Sequence, residues 1–131
     1  IGRRDRSVIP EHVLQVLWMA VLKDLKSMTE AGHGIDAVAY VDMAAATVRA
    51  SRSRIDEPQE RYDRLCEAAI ALLDGAEGEP DEAVRLASTE ALIVCRSSTD
   101  PEEALCLVCA PDADVSAVLV QARAAFDAEE G

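Results

Sequence analysis

Prolines flanked by acids divide the second half of this 131-residue chain at nearly even intervals. Glu57-Pro58-Gln59-Glu60, Glu79-Pro80-Asp81-Glu82 and Asp100-Pro101-Glu102-Glu103 share the pattern acid-Pro-x-Glu and recur 22 and then 21 residues apart. Pro suits the first turn of a helix, where its missing N–H has no partner to lose. Acids beside it complement the positive end of the helix dipole, each worth roughly 0.3–1 kcal/mol. Read this way, every such signal opens a helix.

Composition agrees with helices. Half the residues are apolar, which excludes disorder by composition, and the apolar set is mostly Ala, Leu and Val. Ala and Leu favour helix. Aromatics are limited to Trp18, Tyr40, Tyr62 and Phe126. A chain of this size makes one domain and can bury about two-thirds of its unfolded surface without staples.

The apolar spacing then predicts the helices in turn. The first runs from about Pro10 to Ala31 and stops at Gly32, with a seam of Leu14, Trp18, Val21, Leu25 and Met28. Val13, Val16, Leu17 and Met19 extend its apolar surface almost all round, which places it centrally. The second spans about Ile35 or Asp36 to Arg54, with Val38, Val41, Ala45 and Val48 inward and Ala44 to Ala46 as a thin face. The third runs from about Pro58 to Asp74 and ends at Gly75, on a stripe of Tyr62, Leu65, Cys66, Ala69, Leu72 and Leu73. A fourth covers about Pro80 to Ser97, with Val84, Ala87, Ala91, Val94 and Cys95 inward. The short apolar segment Pro101 to Ala110 fits helix or buried strand and is read as helix. Asp112 or Asp114 caps a last helix to about Ala128, with Val115, Val118, Leu119, Ala122 and Phe126 inward. A pair of such units approaches the period of HEAT-type solenoids, but no side-chain pattern repeats within the pairs. The expected fold is all-α: one antiparallel bundle of five or six helices over residues 10–131, the helix at about 10–31 central, after a flexible arm at 1–9.

The net charge of −12 lies wholly in the second half: residues 1–64 carry ten basic and ten acidic side chains, residues 65–131 three and fifteen. Twelve of those fifteen acids fall in expected helix starts, loops or the tail, where capping and solubility explain them. They clump at helix ends and form no phosphate-like stripe, which argues against nucleic-acid mimicry. Nucleic-acid binding is equally unpromising, because Arg3, Arg4, Arg6 and Arg49, Arg52, Arg54 cluster without interleaved aromatics. The longest apolar run, Val16 to Leu22, is far shorter than the ~20 residues a bilayer span needs. No signal-peptide pattern is visible, so a cytoplasmic location is expected. Arg outnumbers Lys eleven to two beside abundant Ala, as in a GC-rich bacterial genome. A chain that starts at Ile1 is expected to be trimmed or cut from something longer.

Chemical motifs are few. Glu57-x-x-Glu60 and Glu79-x-x-Glu82 superficially resemble the paired carboxylate motifs of all-α MazG-type nucleotide pyrophosphohydrolases. Such sites need carboxylates within facing helices that converge on Mg²⁺. Here both pairs straddle a Pro at a helix start, and in a hairpin those starts lie roughly 25 Å apart. Cys106-Leu107-Val108-Cys109 lacks a second ligand pair for zinc, and with Cys66 and Cys95 on apolar stripes all four cysteines read as core thiols. His12 and His33 have no acid at metal-ligand spacing, so both are expected in surface or capping roles. Asp42 and Glu90 fall beside apolar stripes and should seek an arginine such as Arg85 or Arg123, either as partly buried ion pairs or as polar anchors of a pocket.

These readings predict no enzyme, no catalytic residue, no metal and no cofactor. The expected function is a non-enzymatic protein-interaction or regulatory module that binds a protein partner or itself as a homodimer, through Trp18, Met19 and Leu22. A first alternative is a small-molecule sensor like the helical effector domains of bacterial regulators, with a pocket lined by Trp18, Met28, Tyr40, Met43 and Tyr62. A second is an acidic immunity-like or antitoxin-like binder of a basic protein. Neither nucleic acid nor membrane is expected as a partner.

Overall fold

The computed structural model describes Lys23, Leu25, Lys26 and residues 34–54, 57–75, 80–97 and 100–130, the side chains of 126–130 excepted. Along the chain run β1 (Ile35–Asp42), β2 (Thr47–Ser53), α1 (Gln59–Leu73), β3 (Glu82–Leu86), β4 (Ala91–Arg96), β5 (Glu103–Cys109) and α2 (Val115–Glu130). All five strands join one antiparallel sheet in the order β2-β1-β5-β4-β3. The expectation of an all-α bundle is therefore overturned. The segments read as the second and fourth helices are the hairpins β1–β2 and β3–β4, and Pro101 to Ala110 holds β5. The expected central helix lies outside the described residues, except that Lys23, Leu25 and Lys26 are helical.

The reason lies in burial on both sides of the sheet. On one face Ile35, Val38, Leu105, Leu107 and Cys109 pack with Ile93, Leu25 and, from α2, Val118 and Ala122. On the other, Ala37, Ala39, Val41, Ala104, Cys106 and Val108 pack with Leu92, Val94 and α1. Strands buried on both faces show no apolar–polar alternation, and a short run of that kind cannot be told from a buried helix by period. Every residue of β4 and β5 is buried.

Both described helices that the spacing predicts are present. α1 lays Tyr62, Leu65, Cys66, Ala69 and Leu73 on the sheet. It ends where the N–H groups of Asp74 and Gly75 both donate to the Ile70 carbonyl, at 2.9 and 3.0 Å. A side chain at Gly75 would put its Cβ 2.7 Å from the Ala71 carbonyl oxygen, so the helix stops on the residue that fits there. Asp114 caps α2, its Oδ1 accepting the Ala117 N–H at 3.2 Å. Of the three acid-Pro signals, only the one at Pro58 opens a helix. Pro80 precedes β3 and Pro101 lies in the turn before β5. A fixed φ and a missing donor mark the boundary of an element without choosing its type.

Candidate functional site

The sheet has two free edges, β2 and β3, and they differ in chemistry. Tyr40 pairs with Ala50 while Val41 pairs with Val48, so Arg49 is the extra residue of a β-bulge in β2. A bulge, with Thr47, Arg52 and the serines 51 and 53, blunts that edge. At the other side, β3 (Glu-Ala-Val-Arg-Leu) is short and regular, pairing with β4 from Glu82–Cys95 to Leu86–Ala91 without a break.

Hydrogen bonds fix which backbone groups of β3 are free to pair. The Arg96 N–H donates to the Asp81 carbonyl at 2.7 Å, and the Ala87 N–H to the Glu90 carbonyl at 3.0 Å. Residues 81 and 87 thus turn their backbone toward β4. Because antiparallel bonding alternates, Glu82, Val84 and Leu86 turn theirs to the open side. The same three residues pair with Cys95, Ile93 and Ala91, whose side chains belong to the α2 face, so theirs lie on that face too. There Val84 is 39% and Leu86 69% exposed.

Arg123 of α2 reaches over to this edge. Its Nε donates to Glu82 at 3.2 Å and its Nη2 to the Asp81 carbonyl at 3.4 Å. α2 begins beside the hydrogen bond from Ala110 to Gly34 and ends its reach at Asp81, so it runs antiparallel to β3. Ser116, seven residues before Arg123, lies two turns back on the same side and is exposed. Val120 points outward from the crest of α2, 70% exposed.

Elsewhere the charges close on themselves. Asp42 pairs with Arg49 and Glu90 with Arg61, the latter at 2.6 Å, in place of the expected Arg85 or Arg123. An open groove of about 390 Å³ is lined by Asp36, Arg54, Glu57, Arg61, Thr89, Glu90 and Val108, and two ion pairs cross its rim. Cys106 and Cys109 stand on opposite faces of the sheet, so the CxxC cannot close on one ion or on itself. All four cysteines are buried and free. Burial pushes the Cys106 thiol well above its ordinary value, helped by Cys66, and pushes Cys109 up to about 12, helped by Asp36. Such thiols are neutral and unreactive at physiological pH. Among the described residues no group of His, Cys, Asp and Glu could hold a metal ion, and no helix is long and apolar enough to cross a membrane.

Of the residues singled out from sequence, Trp18, Met19, Leu22, Met28, His12 and His33 lie outside the described residues. Tyr40 packs on the α2 face, Met43 and Tyr62 on the α1 face, so the sheet separates the one from the other two. The β3 edge went unread, and Val84 was assigned to a buried helical stripe. Its signal is the polar pair Ser88-Thr89 between the apolar runs Ala83–Ala87 and Ala91–Cys95, which spells a two-residue hairpin turn.

No family model matches the chain, and no curated protein sequence matches it. Solved structures do. A Roadblock/LC7 domain from Streptomyces avermitilis superposes with a TM-score of 0.69 at 11% identity, over 83% of this chain and 93% of that one. A structure of MglB with a tetrameric arrangement gives 0.69 at 17% identity, over 86% and 87%. MglC from Myxococcus xanthus gives 0.61 at 15%, over 85% and 97%. At such identities the likeness is one of backbone alone, and the fold of this chain is the Roadblock/LC7 fold.

Proposed function

We propose that this chain is a non-enzymatic regulatory module that works as a homodimer joined along β3. The observation that carries the proposal is the unpaired backbone of Glu82, Val84 and Leu86 beside the exposed Leu86 side chain. An exposed, regular, apolar strand edge is a template for a further strand. A two-fold axis through Val84 uses the whole five-residue strand: Val84 meets its copy, Glu82 meets Leu86 and Ala83 meets Arg85. Moving the pairing by one step toward Leu86 would set Arg85 against its own copy, and like charges directly opposite are destabilising. The tetrameric arrangement of the similar MglB structure supports self-association as a habit of this fold. A regulatory rather than catalytic role is supported by the buried neutral thiols and the self-satisfied ion pairs.

Sedimentation velocity at micromolar concentrations tests the reading. The expected species has twice the 14.1 kDa of the chain. Leu86→Lys puts a charge at the centre of the joint on a side chain that is exposed in the single chain, so it should give a folded monomer with self-association weakened at least ~100-fold. Unmodified protein that stays monomeric at about 100 µM sinks the proposal.

A further inference from the structure

We infer that the β3-paired dimer carries on its α2 face a trough for one amphipathic helix of a different protein, apolar along one side and basic at both ends. This inference rests on the dimer proposed above. Pairing two β3 edges satisfies their backbones but covers no sheet face, so Val84 and Leu86 of both copies remain as a floor, and the two α2 helices stand as walls. α2 packs chiefly on β4. With strands about 4.8 Å apart, axes placed over β4, or between β4 and β5, are about 14–19 Å apart across the two-fold. A helix seated between two others at the usual 8–10 Å needs about 16–20 Å. The floor is five residues of strand, about 17 Å, or about eleven residues of helix.

Charge selects the occupant. Antiparallel strands place Asp81 and Glu82 of one copy at each end of the trough. Because α2 runs antiparallel to β3, the exposed Asp112 and Asp114 of the other copy stand at that same end. Arg123 offsets Glu82, and Arg96 lies 3.8 Å from Asp81, which leaves both ends acidic. A further copy of this domain fits poorly. Outside the trough the one exposed large apolar side chain among the described residues is Val120, which stands between the exposed Ser116 and Ala124 and makes no ridge. Because the trough straddles a two-fold axis, it takes one helix for two chains.

The probe is a fluorescein-labelled 18-residue Leu/Lys peptide with an apolar stripe at helical spacing, titrated into the full chain and followed by anisotropy. A scrambled peptide of the same composition is the control, and the mass of the protein is measured in the same samples. The expected result is one peptide per two chains and binding at least ~10-fold weaker for the scrambled peptide. Ser116→Trp, on an exposed wall position away from the β3 joint, should weaken the striped peptide about 10-fold while the mass stays dimeric. A dimer that binds both peptides alike, binds one per chain, or ignores Ser116→Trp overturns the trough and leaves the dimer standing. A monomer overturns the dimer, and the trough with it.

Discussion

Ala46 holds the left-handed conformation, φ 53°, at the end of the β1–β2 turn. An L-residue is disfavoured there by roughly 1–2 kcal/mol, because its Cβ crowds the backbone. Around it the Asp42 carboxylate accepts the Ala45 N–H at 3.2 Å, and the Met43 carbonyl accepts the Ala46 N–H at 3.3 Å. Ala46→Gly relieves the crowding and loses about 0.5–1 kcal/mol to greater freedom of the unfolded chain. The expected net gain is up to about 1 kcal/mol, a Tm rise of a few degrees by calorimetry. An unchanged or lower Tm would show that the turn carries no strain at this position. The sequence Ala44-Ala45-Ala46 hides all this, since alanine is the residue least expected to turn a chain.

Elements were legible where a single face is buried and illegible where both are. α1 alternates wet and dry at 3.6 residues, with Asp63, Arg64 and Glu67 outside and Tyr62, Leu65, Cys66 and Ala69 inside, so its period and its ends can be read. In β4, Ala-Leu-Ile-Val-Cys offers no wet side, and in β1 the alanines 37 and 39 mimic helix composition. The candidate site was harder still, because an edge exists only once the strand order is known. One joint between elements can be tested directly. The Arg96 side chain, 9% exposed, donates to Asp74 at the end of α1 at 2.9 Å, to the Pro101 carbonyl at 2.6 Å and to the Pro80 carbonyl at 3.3 Å. Arg96→Ala leaves these acceptors without their donor and should cost about 3 kcal/mol in urea unfolding. Arg96→Lys should recover little, because one ammonium cannot span the fork. A loss below about 1 kcal/mol would mean water replaces the guanidinium.

At the scale of the whole molecule, β3 pairing makes stability depend on concentration. A dimer stabilised by mass action unfolds at a higher temperature as the chain becomes more concentrated. Tm is expected to rise by several degrees from 1 to 100 µM for the native chain and to stay level for Leu86→Lys. A Tm independent of concentration in both would argue that the joint adds nothing to the folded state. The net charge of −12 opposes such association at long range, so the rise should be steeper in salt.

The strand order also has a consequence for synthesis. β5 is the last strand made, yet it lies in the middle, between β1 and β4. The two hairpins do not pair with each other. A ribosome therefore delivers them as two separate ribbons, each with an unpaired inner edge, and neither completes its ladder until residue 109 has emerged. The polypeptide is most exposed to mispairing just before its central strand arrives, and the final 22 residues, α2 among them, follow only after the sheet can close.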